Sequence, residues 1–286
     1  MNKGRGLNCY ERNLEMASIT CSFKCIVLKY LCMFRIVGRK EGKTMRAFSR
    51  TDMGRRREMN QDYMYTSEMP VGNLPNLYVL ADGMGGHNAG DYASRYTAET
   101  IVHTVQASRE TSPIVILRDA IWKANQAVVE KSGTDIDLEG MGTTVVAATV
   151  IGSELCVANV GDSRLYIVGE YLEQITKDHS YVQEMVRRGE LRPEIARFHP
   201  DRNIITRAVG GGPEIEVDFF EVDLQENDRI LMCSDGLTDM LEDREIFEII
   251  KSGTNSGSIV DTLVDMANQY GGNDNITVIL TEPFMW

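Results

Sequence analysis

Ala81-Asp82-Gly83-Met84-Gly85-Gly86-His87 follows directly on Leu77-Tyr78-Val79-Leu80, and the junction of these two pieces decides how the chain is read. The apolar run has the length and residue types of a buried strand. It is expected to stop at the Asp82 carboxylate, after which three glycines crowd into four positions. Glycine permits backbone angles and close approaches that a Cβ would block. A carboxylate at a strand end beside bare backbone suits a hard cation held by carboxylate and carbonyl oxygens. It suits a tight polar turn equally well, so the rest of the chain must decide.

The 286 residues are 43% hydrophobic and 25% charged, ordinary for a globular protein and enough for one large domain or two small ones. A net charge of −12 argues against nucleic acid as partner, because phosphate backbones are met by a basic footprint. Residues 1–44 stand apart, with nine basic residues against three acidic ones. Their apolar piece, residues 26–37, is broken by Lys29 and Arg35 and falls short of the roughly 20 residues that a bilayer span needs. No small-residue cleavage site follows it. Residues 1–44 are therefore expected to be an extension outside the fold, with Met45 a candidate true start and residues 45–286 the domain. Cys21 and Cys25 lack a second pair for zinc, and Cys156 and Cys233 lie in apolar runs as small buried hydrophobes. With no disulfide framework, a reducing cytoplasm and no membrane span are expected.

From Met45 the chain reads as alternating short elements. Strands are expected at residues 46–51 and 63–66, then the opening strand. A helix over residues 88–107 and a second from Ser112-Pro113 follow, the latter with a capping hydroxyl and proline in the first turn. Ile114, Leu117, Ile121, Ala124 and Val128 give the second helix its apolar face. Strands at residues 143–151, 154–160, 163–168 and 171–175 are separated by glycine-bearing turns, which predicts antiparallel pairing rather than crossovers. A short helix lies within residues 178–189. Residues 190–212 form a long basic connection, and a loop of that length in a compact domain is usually functional. Strands at residues 215–222 and 229–233, helices from about Asp243 and Ser258 with N-capping side chains, and a strand at residues 276–281 complete the chain.

Acidic residues recur where strands meet loops. Asp62 closes Arg57-Glu58-Met59-Asn60-Gln61-Asp62, Asp235 sits in Cys233-Ser234-Asp235-Gly236, and Asp274 sits in Gly271-Gly272-Asn273-Asp274-Asn275. Asp162, in Gly161-Asp162-Ser163-Arg164, joins two further strands. One such aspartate is a turn by default, but four or five could converge on one rim of a sheet. Converging carboxylates repel and desolvate at high cost unless cations neutralise them. A set without histidine or cysteine predicts Mg²⁺ or Mn²⁺ rather than zinc.

Taken together, Arg-x-x-Asn-Gln-Asp, Asp-Gly-Met-Gly-Gly-His, Met141-Gly142-Thr143-Thr144, Gly-Asp-Ser-Arg, Asp178-His179-Ser180, His199-Pro200, Ser-Asp-Gly and Gly-Gly-x-Asp-Asn resemble the bacterial PP2C (PPM) family of metal-dependent serine/threonine protein phosphatases. The resemblance runs from about Met45 to Thr281 and leaves residues 1–44 outside. It implies an α+β fold, a four-layer αββα sandwich of two antiparallel sheets flanked by helices, with a binuclear Mn²⁺ or Mg²⁺ centre at one end. By motif position Asp82 bridges both metals, the Gly83 carbonyl and Asp62 join it, and Asp235 and Asp274 complete the set. Asp162 with Asp235 matches the third-metal site of bacterial members, the alternative being that Asp162 simply closes the turn between two strands. Residues 190–212 match the flap beside the cleft.

The chemistry so implied is in-line attack on phosphorus by a metal-bridging hydroxide, with no protein nucleophile. Arg57 would bind the phosphoryl oxygens through its fork of donors, while Arg55 and Arg56 read as a solvated basic turn. Some members carry histidine where Met84 stands. A thioether cannot donate a proton, so the leaving-group proton must come from elsewhere, such as a metal-bound water. His87 is expected to be structural, His103 to lie on a helix surface, and His179 and His199 to be flap scaffolding. The expected partners are phosphorylated proteins, a serine/threonine kinase and its substrates, met by a monomer. A phosphatase dedicated to one stress-response regulator, and a catalytically dead scaffold of the same fold, are the alternatives. The complete aspartate set argues against the scaffold.

Overall fold

The structure, a computed structural model, describes residues 44–86 and 89–285. The elements in chain order are β1 (Thr44–Asp52), β2 (Asp62–Ser67), β3 (Leu77–Met84), α1 (Ala89–Ala107), α2 (Pro113–Thr134), β4 (Gly142–Thr143), β5 (Val145–Ile151), β6 (Glu154–Val160), β7 (Arg164–Val168), β8 (Leu172–Gln174), α3 (Tyr181–Arg187), α4 (Pro193–Ala196), β9 (Asp218–Asp223), β10 (Arg229–Cys233), α5 (Asp235–Thr238), α6 (Asp243–Ser252), α7 (Ser256–Gln269) and β11 (Ile276–Met285). The described residues form one compact unit.

Two sheets result, and every strand pair in them is antiparallel. One runs β1-β11-β10-β7-β8; the other runs β2-β3-β5-β6-β9, with β4 also paired to β3. Side chains alternate along each strand, so one sequence parity faces the partner sheet and the other faces the helices. On β3, Tyr78 and Leu80 enter the apolar layer between the sheets, with Val146, Leu165, Met232 and Ile279. Leu77, Val79 and Ala81 instead pack under Ile101 of α1 and Ile121 of α2. Leu231, Cys233 and Val278 pack under Ile250 of α6 and Leu263 of α7. Three apolar layers between four structural layers give the expected αββα sandwich.

Several boundaries differ from the sequence reading. β3 does not stop at Asp82; it continues to Met84 because β4 supplies Gly83 and Met84 with antiparallel partners. The stretch expected as one strand at residues 143–151 is split at Thr144, since β4 and β5 pair with different parts of β3. The turns at residues 152–153 and 169–171 do join neighbours in one sheet. Gly161-Asp162 does not: β6 and β7 belong to different sheets, so this turn carries the chain across the sandwich. The strand expected from residue 215 begins only at Asp218, where pairing with Asn159 starts. Ser112 precedes Pro113 as expected, but its hydroxyl makes no capping bond. The two late helices are capped by Glu242, reciprocally with Glu245, and by Asn255. Helix α5 was not anticipated, being a single turn without an apolar repeat.

Candidate metal centre

The parity that sends Tyr78 and Leu80 between the sheets sends Asp82 there as well. The same alternation takes Met64 to Asp62, Met232 to Ser234, Ile279 to Thr277, Val146 to Thr144 and Leu165 to Ser163. At this end of the sandwich the apolar layer therefore gives way to a polar one. Asp62 and Asp82 stand directly opposite each other in the β2–β3 register. Ser234, Thr277, Thr144 and Ser163 are buried beneath them. Asp62 is itself only 5% exposed, and its Oδ2 accepts hydrogen bonds from Ser234 Oγ and Thr277 Oγ1, both 2.7 Å. The Asp82 backbone is fixed from both sides: its N–H donates to Thr144 Oγ1 at 3.0 Å, and its carbonyl accepts from Thr143 Oγ1 at 2.8 Å. Thr144 is held in turn against Ser163 at 2.8 Å.

The loops complete the rim through close backbone approaches. A Cβ at Gly83 would run into the carbonyl oxygen of Gly90 in the first turn of α1, and one at Gly236 would run into that of Asn275. The second approach brings Asp235, at the start of α5, beside the Asp274 loop. Asn275 ties that loop to residues 53–61: its Nδ2 donates to the carbonyls of Met53 and Met59 at 2.9 and 2.8 Å, and its Oδ1 accepts from Gln61 N at 2.8 Å. Arg55 and Arg56, exposed as expected, donate backbone N–H groups to Gly272 O. Arg57 then reaches the rim, with Nη2 2.7 Å from Asp274 Oδ2.

Asp62, Asp82, Asp235 and Asp274 thus converge as the sequence suggested, with Arg57 at their edge. Asp162 lies at the cross-sheet turn and lines, with Asp235, an adjoining cleft of about 500 Å³. His179 holds that turn: its Nδ1 accepts from Gly161 N at 3.0 Å, and its own N–H donates to Gly161 O at 2.9 Å. The backbone carbonyl of His179 accepts from Thr206 N at 2.7 Å, so His179 braces the cross-sheet turn as well as the expected flap, and His199 Nδ1 accepts from Asp201 N within the 190–212 segment. His103 is exposed on α1. His87 lies outside the described residues, as do residues 1–43.

The electrostatics are those of negative charge gathered in excess of the cation beside it, Arg57 on Asp274. Burial raises the Asp62 carboxyl to about 6, against the hydrogen bonds from Thr277 and Ser234 and with the help of repulsion from Asp274. Asp82 is held well above the ordinary carboxylate range by burial, then by Asp62 and Asp235. Asp235 is held up by burial, then by Asp162 and Asp274. Asp162 rises to about 7 through burial and the charge of Asp178. Two oxygens, Asp62 Oδ1 and Asp235 Oδ1, are buried without a hydrogen-bond partner. Buried acceptors rarely go unpaired, and oxygen-only donors left open in an anionic site fit hard divalent cations. On this chemistry the residues fit a Mn²⁺ or Mg²⁺ centre.

Three contributors were missed in the sequence. Ser234 and Thr277, the donors to Asp62, were legible from strand alternation. Asp239 lies four residues after Asp235, a spacing that puts both carboxylates on one helix face, and its N–H donates to Asp235 O at 2.7 Å.

The chain is similar in sequence and fold to known proteins. A family model described as protein phosphatase 2C matches residues 52–280. The serine/threonine phosphatase stp of Listeria monocytogenes is 43% identical over 246 residues, covering 83% of this chain and 96% of its own. The solved serine/threonine phosphatase PstP/Ppp of Mycobacterium tuberculosis is similar at a TM-score of 0.76 and 35% identity, over 83% of this chain and 98% of its own. A PstP catalytic domain solved in complex with two manganese ions matches at a TM-score of 0.73 and 34% identity, over 83% and 97%.

The raised carboxyls set the pH response of the metal-free protein. The folded chain keeps protons on Asp62 and Asp162 up to about pH 6 and 7, whereas an unfolded aspartate loses its proton near pH ~4. Between those limits the folded state binds more protons, so stability falls as pH rises. Chelator-treated protein should melt at a higher temperature at pH 5 than at pH 8, and Mn²⁺ should raise the melting temperature more at pH 8. Thermal melts at both pH values, with and without Mn²⁺, check this.

Proposed function

This chain belongs to the protein phosphatase 2C family, and on that premise we propose that it removes phosphate from phosphoserine and phosphothreonine in proteins at the carboxylate rim, opposing a serine/threonine kinase. The observation that carries the reading is the facing Asp62–Asp82 pair, Asp62 buried and Asp82 half-buried, with Asp62 Oδ1 and the neighbouring Asp235 Oδ1 left without partners. Asp62, Asp82, Asp235, Asp274 and the Gly83 carbonyl would hold two divalent ions, Mn²⁺ or Mg²⁺, and Asp162 with Asp235 a third. When bound, such ions supply an acidified water as nucleophile and neutralise charge on the phosphoryl group.

The protein's own part is positioning and charge. Ser234 and Thr277 occupy Asp62 Oδ2, which leaves Oδ1 as the free donor atom. Thr143 and Thr144 fix the Asp82 backbone, so its carboxylate is presented without rearrangement. The Arg57 guanidinium, now on Asp274, is 48% exposed; cations on that carboxylate would free its fork for phosphoryl oxygens. Met84, at the end of β3, has no proton to give, so the leaving-group proton is not drawn from that position.

Among the described residues no helix is long and apolar enough to cross a membrane. The free buried thiols of Cys156 and Cys233 support a reducing cytoplasm as the compartment. We read the chain as a monomer acting on phosphoproteins, and residues 1–44 as an extension that the domain does not need.

Hydrolysis of a small aryl phosphate should require added Mn²⁺ or Mg²⁺ and stop with chelator. Asp82→Asn should reduce it to below roughly a few per cent while keeping the fold, because the residue holds cations rather than filling a core. Full turnover by metal-stripped protein, or substantial activity in Asp82→Asn, would contradict the reading.

A chain beginning at Met45 should fold, bind Mn²⁺ and turn over as the full chain does. Circular dichroism and aryl phosphate kinetics on the two side by side check the extension reading, and a shortened chain that fails to fold overturns it.

A further inference from the structure

Asp62 stands opposite Asp82 in the β2–β3 register, so the next pair outward is Gln61 with Gly83. The backbone N–H and C=O of Asp82 turn toward Thr143 and Thr144, which by alternation turns the N–H of Gly83 toward β2. In a regular antiparallel ladder such a pair exchanges two bonds, each N–H donating to the other's carbonyl. Here Gly83 N donates to Gln61 O at 3.1 Å, but Gln61 N donates instead to Asn275 Oδ1 at 2.8 Å. The donor that would meet the Gly83 carbonyl is given to the Asp274 loop, and that carbonyl is released from the ladder.

A pair with one bond of two is loosely held, and α1 makes up the difference. Ser94 is fully buried, and its Oγ donates at 2.6 Å to Gln61 O, the same oxygen that Gly83 N uses. The Asp91 carbonyl of its own helix is farther off, at 3.2 Å. The helix comes this close because Gly90 has no Cβ; one there would strike the Gln61 side chain. The peptide leading into Asp62 is thereby held at both ends, since Asp62 N donates to Asn60 Oδ1 at 3.1 Å. So is the peptide between Asp82 and Gly83, its carbonyl by Thr143 and Thr144 and its N–H by Gln61 O.

We propose that Ser94 is a positioning residue of the metal centre: its hydroxyl holds the Gln61 carbonyl where it fixes the Gly83 N–H, so that the Gly83 carbonyl is presented to a divalent cation without rearrangement. The proposal rests on the metal-centre reading above. Ser94 acts through two peptides and is not itself a ligand. Removing an outer partner that orients a ligand weakens metal binding roughly 10- to 100-fold. Thr97 supplies the comparison. It lies one turn further along α1 and is fully buried too, but its Oγ1 makes no hydrogen bond.

The test is calorimetric Mn²⁺ titration of the full chain as parent, Ser94→Ala and Thr97→Val, beside circular dichroism and aryl phosphate kinetics. Ser94→Ala should fold and weaken the tightest Mn²⁺ site roughly 10- to 100-fold. The Mn²⁺ concentration for half-maximal turnover should rise by a like factor, with kcat recovered at saturating Mn²⁺. Thr97→Val should bind Mn²⁺ as the parent does. Parental Mn²⁺ affinity in a folded Ser94→Ala overturns the proposal even if the variant melts earlier, because early melting alone is what a packing role gives. Equal weakening in Thr97→Val overturns it as well, since any change in α1 would then suffice. Amide exchange of the parent, read by nuclear magnetic resonance, decides without a variant. The Gly83 amide should exchange as slowly in chelator as the amides within β3, because its acceptor is fixed before any ion arrives; fast exchange there, slowed only by Mn²⁺, overturns the proposal. If instead Asp82→Asn leaves Mn²⁺ affinity unchanged, the metal-centre reading itself fails. That outcome is distinct from ions that bind without need of Ser94.

Discussion

Carboxylates closing the end of an apolar layer are the constraint on which the rest of this structure depends. Strand alternation leaves no choice: a side chain two positions beyond Leu80 on β3 must point where Leu80 points, and that side chain is Asp82. Asp62 meets it from β2 in the same plane. Burial then holds both carboxyls above their ordinary range, helped by the charge of Asp274 on Asp62 and by that of Asp62 on Asp82. A folded chain without cations tolerates this by retaining protons; a chain with cations has no need to. The site is a place where folding energy has been set against function, and binding of metal is the event that reconciles them.

Everything near the rim serves to keep those carboxylates from relaxing away. Ser234 and Thr277 hold one oxygen of Asp62, Thr143 and Thr144 clamp the backbone of Asp82, and His179 grips the turn that carries Asp162. Asn275 spends its amide on two carbonyls and one N–H of the opposing loop, which is what lets Arg57 reach Asp274 from so far away in sequence. These are short side chains with few rotamers, so little entropy is lost in fixing them. The arginine of the rim, Arg57, reaches Asp274 from the outside and is half-exposed.

Much of this was legible beforehand, and what was missed has physical reasons. The apolar runs ending in Asp or beginning after it marked the strands and the convergent rim, because β-branched runs and glycine-flanked carboxylates are local signals. The continuation of β3 through Asp82-Gly83-Met84 was hidden, since Gly-rich sequence reads as a turn until a partner strand, here only Gly142–Thr143, supplies the pairing. Gly161-Asp162 looked like the hairpin turn at Gly152-Ser153; a tight turn and a passage between sheets carry the same polar, glycine-bearing signature. Asp239 was passed over because α5 is one turn long and has no apolar repeat to announce that residues 235 and 239 share a face.

The most direct test of the central claim is the number of protons released when Mn²⁺ binds, measured by titration calorimetry in buffers of differing ionisation heat. If cations replace protons on carboxyls that burial has raised, binding at pH 6.5 should release more than about one proton, and the release should fade toward pH 9. Binding of Mn²⁺ with no proton release at pH 6.5 would show that the carboxylates are already ionised without metal, and would contradict the account.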